Sequence, residues 1–483
     1  MKRVKNRAVA VLLLAALTVL GLCVFTVRLA TNGRAWASYA AAQSSGGQGS
    51  GGQSGGGQSG AGQSSGGQSG GGQSGAGQGS AGARSATGTL TDRNGLVLAS
   101  VDDNGKRVFA ESTELRKAAL HVTGDRAGNI GTGALTMFAA DLTGYNFFTG
   151  AYSRDWAGKT VELTIDAGLN AEAYKALDGR RGAVMVMNYI TGEILCMVSS
   201  PTFDPENPPA GVDTDPSYEG AYLNRAISAA YTPGSTFKLL TAAAAIESIP
   251  DVNDRVFTCD GTLETSHGTV KCSGVHGAIT FKDAFAVSCN SAFGELALEL
   301  GADKLEEYAE KYGLTGQTSI SGIKTVKGNF DAAEPDTADL AWSGVGQYGD
   351  LLCPAAVLRF AGAIANEGVA ATMKLKTGGA AGIFSGGGER IIKKETARKL
   401  SEMMAYNVTK TYGAGNYPGL ELHAKTGTAE VGPDSKPHAW FSGFITNEGF
   451  PLAFVVVVEN GGSGAMAAGP VANRVLQRAI AAP

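Results

Sequence analysis

Hydrophobic and polar positions divide the chain into four stretches. Residues 8–27 carry no charge and follow a basic tip of Lys2, Arg3, Lys5 and Arg7. About 20 apolar residues suffice to cross a bilayer, and the basic flank predicts a cytoplasmic N-terminus with the remainder outside. Ala35-Trp36-Ala37 also fits a small-residue cleavage pattern, so a cleaved leader is the competing reading. The run is long for a leader, and one transmembrane helix within residues 1–34 is the preferred expectation. Residues 43–83 are Gly, Ser and Gln with little else, and Gln recurs every five residues from Gln43 to Gln78. With no apolar side chain larger than Ala, such a tract buries too little surface to fold. Residues 35–87 are therefore expected to be a disordered linker, with an r.m.s. reach of roughly 35 Å for its repetitive part.

Order resumes at residue 88. Asn94-Gly95 between apolar runs predicts a hairpin, and residues 88–157 read as a small N-terminal α+β module. From residue 158 the pattern lengthens. Thr164–Leu177 predicts a helix capped by Asp166. Two apolar runs, 182–190 and 193–199, flank a tight turn at Thr191-Gly192 and predict paired strands. Helical periodicity follows at about 234–247, 281–300, 303–312, 354–366 and 395–406. Strand patterns return at 421–429, 438–446 and 452–459, before a last helix near 470–481. Strands at both ends with helices between predict an α+β fold. Its antiparallel sheet is closed by the two ends of the 158–483 domain and flanked by helices.

Composition adds limits. The chain has 483 residues, 43% hydrophobic and 17% charged, with net charge −4. Roughly 400 residues remain outside the anchor and linker, enough for one large core and a smaller module. The near-neutral balance gives no sign of nucleic-acid binding.

Three short motifs carry candidate chemistry. In Tyr231-Thr-Pro-Gly-Ser-Thr-Phe-Lys238, Pro233 and Gly234 end one segment and a helix begins near Ser235. A hydroxyl at a helix N-terminus faces backbone N–H groups that favour developing negative charge. Lys238 lies one turn on, on the same face, and a buried lysine beside another cation can serve as a base. By itself Ser-x-x-Lys is common in helices. The second motif, Ser288-Cys289-Asn290, interrupts a helical run, with Ser288 and Asn290 on one side of the link and Cys289 facing packing. The third, Lys425-Thr426-Gly427-Thr428, sits on a strand whose glycine admits a substrate backbone.

Ser-x-x-Lys, Ser-x-Asn and Lys-Thr-Gly in this order resemble the penicillin-binding protein and serine β-lactamase superfamily. The resemblance spans residues 88 to 483. It includes Phe203-Asp-Pro, Asn224-Arg-Ala, Gly344-Val-Gly-Gln347, Ala365-Asn-Glu-Gly368, His438-Ala-Trp-Phe-Ser-Gly443 and Val458-Glu-Asn460. It is strongest to class B penicillin-binding proteins, monofunctional D,D-transpeptidases, and among them the penicillin-binding protein A group. The resemblance implies peptidoglycan stem peptides as substrates, β-lactams as covalent inhibitors and no cofactor. Ser235 would be the nucleophile and Lys238 its base. Ser288 would pass a proton to the leaving group, and Asn290 would hold Lys238. Lys425, Thr426 and Thr428 would bind the substrate carboxylate beside Gly427, with Thr428 also lending an oxyanion-hole N–H. It also implies a polytopic membrane glycan polymerase as partner and an extracytoplasmic catalytic domain.

Other enzymes of the superfamily, a D,D-carboxypeptidase or a β-lactamase, use water in place of the amine acceptor. A β-lactam sensor or an inactive wall-binding scaffold is the alternative of a different class. Outside the cytoplasm, Cys259 and Cys272 would pair as a disulfide across a hairpin-like insert. The same pair with His267 and His276 matches no zinc spacing, so no metal site is expected. Cys196, Cys289, Cys353, Met185, Met187 and Met197 are expected in the core, and His438 in a structural role.

Overall fold

The segment Leu452–Val458 has no polar residue, and all seven of its side chains are buried. A strand buried on both faces belongs inside a sheet covered on both sides. The computed structural model describes Thr18, Val19, Gly21 and residues 88–144, 158–378 and 388–481. Residues 88–144 and the described residues from 158 onward belong to one compact unit. Among the described residues no helix is long and apolar enough to cross a membrane. The anchor expected over 8–27 falls almost wholly outside them, and the linker entirely so.

The strands are β1 (Gly182–Asn188), β2 (Ile194–Ser200), β3 (Leu422–Ala429), β4 (His438–Ile445) and β5 (Leu452–Val458). They form one five-stranded sheet in the order β3-β4-β5-β1-β2. Every pairing is antiparallel. The sheet closes by pairing the last strand with the first, as the sequence pattern predicts. Alternate side chains feed two cores. Met185, Met187, Val455 and Val457 join the larger one, which includes the helices α2 (Lys238–Ser248) and α5 (Pro354–Ala365). Val184, Val186, Phe454 and Val456 meet Leu169 and Ala173 of α1 (Ala167–Leu177) and Val471 and Val475 of α7 (Gly469–Ala481). Asp166 caps α1 by accepting from the Leu169 N–H at 2.8 Å. The helical run expected over 281–300 breaks into α3 (Phe281–Ala286) and α4 (Asn290–Leu300), while α6 (Lys394–Asn407) packs against β3.

Thr89–Thr91, Val97–Val101, Arg107–Phe109 and Thr160–Glu162 form a second sheet, in which the first and last strands run parallel. The turn at Asn94-Gly95 is held by Asp92 Oδ1, which accepts from the N–H of Asn94 and of Leu96 at 2.8 Å each. Arg116, on the helix Thr113–Thr123, reaches Asp204 at 2.6 Å. That hydrogen bond is the main reason the Asp204 carboxyl falls to about 2.

Candidate active site

β3 is an edge strand, and its free side meets the turn that carries Ser235. Residues Gly234–Thr236 form one 3₁₀ turn before α2 begins at Lys238. Gly234 has φ +54°, and a Cβ there would stand 2.6 Å from the Thr428 carbonyl oxygen. A Cβ on Gly427 would stand 2.5 Å from the Pro233 carbonyl oxygen. Both glycines are therefore required for this close approach. Beneath the turn, the Gly234 N–H donates to the Gly346 carbonyl at 2.8 Å, and Thr241 Oγ1 donates to the Gly344 carbonyl at 2.6 Å. Ser235 is half-buried, and its hydroxyl takes no partner among the described residues.

Lys238 points into the protein and is fully buried. Its Nζ donates to Asn290 Oδ1 at 2.7 Å, to the Ser288 carbonyl at 2.7 Å and contacts Ser288 Oγ at 3.1 Å. Lys425 is equally buried, and its Nζ approaches the same Ser288 Oγ at 3.0 Å. One hydroxyl thus stands between two amines. Among the described residues neither lysine has a carboxylate partner. Burial pulls the Lys238 ammonium down to about 7, against the opposing influence of the Cys289 and Cys272 sulfurs. Lys425 is held well below the ordinary lysine range, first by burial and then by Lys238. Two ammonium groups cannot share this site without counter-charge, so at least one amine is readily neutral.

Ser288 reaches this position because it adopts φ +56° between α3 and α4. A left-handed serine costs roughly 1 kcal/mol, a strain of the kind that gathers at functional sites. The reversal sends Cys289 inward, where its sulfur accepts from the Ala292 N–H at 3.4 Å as the cap of α4. Asn290 Nδ2 donates to the Lys271 carbonyl at 3.0 Å, which fixes its Oδ1 toward Lys238.

On β3, Thr426 is held by Tyr412, a residue that sequence reasoning missed. The Tyr412 hydroxyl accepts from the Thr426 N–H and from Asn407 Nδ2, each at 2.7 Å. Both lone pairs are then occupied, so its proton goes to Thr426 Oγ1, 3.0 Å away. That leaves the Thr426 proton free to donate elsewhere. Tyr412 lies past α6, and no local pattern marks it. Thr428 is exposed, with Oγ1 3.3 Å from the Gly464 N–H.

A nucleophile turn, a lysine pair around a serine and an edge strand thus converge in one cleft. Residues 182–480 match the family described as the penicillin binding protein transpeptidase domain. The chain belongs to this family. It is 31% identical over 373 residues to the peptidoglycan D,D-transpeptidase PbpA of Mycobacterium tuberculosis, covering 69% of this chain and 74% of that protein. The PbpA of Mycolicibacterium smegmatis is 33% identical over 374 residues, with 69% and 74% covered. Among solved structures, penicillin-binding protein A from M. tuberculosis as a ceftriaxone acyl-enzyme superposes with TM-score 0.70 at 26% identity. It covers 82% of this chain and 99% of that one. The D,D-transpeptidase domain of a peptidoglycan glycosyltransferase from Eggerthella lenta gives TM-score 0.70 at 28% identity, with 83% and 99% covered.

The remaining shared motifs have structural work in this penicillin-binding protein. Glu459 accepts from Arg225 Nε and from the Tyr231 hydroxyl, each at 2.7 Å. Trp440 Nε1 donates to the Thr232 carbonyl at 2.9 Å. Together they anchor the stretch leading to Ser235 onto the sheet. His438 accepts from the Asn460 N–H at 3.1 Å and packs edge-on to Tyr231.

The Cys259–Cys272 disulfide expected from the sequence is not formed; both thiols are free. The insert is a ladder of Val256–Cys259 with Gly277–Thr280, enclosing a hairpin of Thr262–Thr265 with Gly268–Lys271. The two sulfurs lie within 4.8 Å of each other without bonding. Cys272 faces Cys289 at 3.7 Å, and Cys259 faces His276 Nδ1 at 3.4 Å. His267 lies apart, against Ser266 and Thr337.

Proposed function

We infer that this protein is a serine-type peptidoglycan D,D-transpeptidase that works through a Ser235 acyl-enzyme. The observation that carries the reading is the pair of buried lysines meeting at Ser288 Oγ beside the Ser235 turn. Neutral Lys238 takes the Ser235 proton as Oγ attacks the penultimate D-alanine carbonyl of a stem peptide. The Ser235 and Thr428 backbone N–H groups receive the oxyanion. Ser288 relays a proton from Lys238 to the leaving D-alanine amine as the C–N bond breaks. Lys425, Thr426 and Thr428 hold the terminal carboxylate, which supplies the counter-charge that the lysine pair lacks. The peptide backbone lies along the exposed edge of β3. An amine of a neighbouring stem then attacks the ester and releases Ser235, completing the cross-link. A β-lactam enters by the same acylation and forms a stable ester.

On this reading the apolar run over 8–27 is a single-pass anchor, the catalytic unit lies outside the membrane and a polytopic glycan polymerase supplies the strands. Ser235→Ala should abolish covalent labelling by a fluorescent penicillin while leaving the thermal unfolding midpoint unchanged; persistent labelling refutes the nucleophile. With a D-Ala-D-Ala peptide and an amine acceptor, cross-linked product should form. Hydrolysed product alone would make the enzyme a carboxypeptidase.

A further inference from the structure

Three sulfurs and one imidazole converge immediately behind Ser288 and Asn290. The ligand atoms of Cys259, Cys272, His276 and Cys289 all lie within 4.8 Å of one another. Their spacing is informative. A tetrahedral zinc with Zn–S about 2.3 Å and Zn–N about 2.0 Å sets S–S edges of about 3.8 Å and S–N edges of about 3.5 Å. Cys272 and Cys289 are 3.7 Å apart, and His276 Nδ1 is 3.4 Å from Cys259 and 3.5 Å from Cys272. A disulfide requires about 2.05 Å between sulfurs. The pairs sit at the edges of a coordination tetrahedron rather than at bonding distance.

The surroundings suit bound thiolates. The Asn290 N–H points at Cys272 Sγ from 3.2 Å, and the Ala292 N–H at Cys289 Sγ from 3.4 Å. Ser291 Oγ lies 3.5 Å from Cys259 Sγ. Such outer contacts orient and stabilise sulfur ligands. Cys259 and Cys289 are fully buried, while Cys272 and His276 are half-buried and leave an entry path. Three soft thiolates with an imidazole select zinc over magnesium or calcium, and four protein ligands make a closed, structural site.

We propose that Cys259, Cys272, His276 and Cys289 bind one structural zinc ion that braces the Ser288–Asn290 link from behind. The ligands come from the end of one insert strand, the segment between two others and the middle residue of the Ser-x-Asn motif. The inner hairpin is largely exposed and contributes little core, so the metal supplies folding energy that packing does not. Binding expels the thiol protons and shields the sulfurs from oxidation outside the cytoplasm. Cys289 lies between Ser288 and Asn290, so fixing its sulfur fixes both neighbours. These four are positioning residues; none touches the substrate.

The test is metal analysis of the full chain purified without chelator, and it stands apart from the acyl-transfer reading. About one zinc per chain is expected, falling to background in Cys272→Ser and in His276→Ala, and retained in Cys196→Ser. Wild-type chain stripped with a chelator and refilled with Co(II) should show tetrahedral d–d bands and thiolate charge-transfer absorption, a readout that needs no variant. Stripping should lower the thermal midpoint and slow penicillin acylation, with zinc restoring both. No stoichiometric metal in either the purified or the refilled chain overturns the proposal. So does peptide mapping that finds Cys259, Cys272 or Cys289 in a disulfide.

Discussion

The sharpest consequence of the site is its pH dependence. Lys238 is fully buried and ends at about 7, against 10.5 for a free lysine. Moving from 10.5 to about 7 disfavours the ammonium by about 5 kcal/mol, at about 1.4 kcal/mol for each tenfold change. At pH 7 roughly half the molecules carry a neutral amine; an unshifted lysine would give about one in 3,000. As the proposed base, Lys238 accepts the Ser235 proton only in its neutral form, so acylation should be lost as pH falls through about 7. Desolvation sets the shift; Lys425, Cys272 and Cys289 are the titratable groups that face Lys238. The assay is the second-order acylation rate constant with a fluorescent penicillin from pH 5 to 9. It should rise about tenfold per unit up to pH 6.5 and level off above 7.5. Lys238→Arg, which stays charged at every pH, should acylate at the background rate throughout. A profile flat from pH 5 to 8, or one still climbing at pH 9, would refute the base assignment.

Tyr412→Phe leaves the Thr426 N–H and Asn407 Nδ2 without their shared acceptor. At about 1–3 kcal/mol for a buried donor left unpaired, denaturant titration should show that loss, with slower acylation. Gly427→Ala places a methyl 2.5 Å from the Pro233 carbonyl and should force β3 off the nucleophile turn. Labelling should fall at least tenfold, and unaltered labelling would show that the strand can shift freely. Asp204, with its carboxyl at about 2, stabilises the fold above the unfolded value near 4 and loses that contribution as pH falls through about 2. Asp204→Asn should therefore lower stability to urea at pH 7, and the gap from wild type should narrow toward pH 2.

Most of the fold was legible because the inner strands of the sheet are local apolar runs and most long helices keep their period, although the run over 281–300 breaks at Ser288. Asp166, Thr191-Gly192 and Asn94-Gly95 are short-range signals and act locally in the structure. The candidate site was legible for a different reason: its residues sit in three compact motifs, each within one turn or strand. What lay beyond the sequence depended on long-range meeting. Tyr412 binds Thr426 from 14 positions away with no pattern around it. The Cys259–Cys272 pair misled for the same reason. Cys259 and Cys272 flank a hairpin and invite a disulfide, while Cys289, in the link between two helical runs, is expected in the core and is buried there. Only the fold brings Cys289 to Cys272 and His276, and a spacing rule built on two ligand pairs close in sequence does not describe it.

On the proposed mechanism the two lysines divide their roles when substrate binds. Around Ser288 Oγ the protein has gathered two amines and excluded carboxylates, an arrangement that is costly when both are protonated. The cost is met in the free enzyme by losing a proton, which is the state a general base requires. An incoming carboxylate changes the balance at one lysine only: it favours the charged form of Lys425, the amine on the substrate-binding strand. A charged Lys425 in turn opposes protonation of Lys238, 3.1 Å from the same hydroxyl. On that mechanism, binding separates two similar groups into an anion receptor and a base. Position, not residue type, decides the roles: Lys425 shares its strand with Thr426 and Thr428, and Lys238 shares its turn with Ser235.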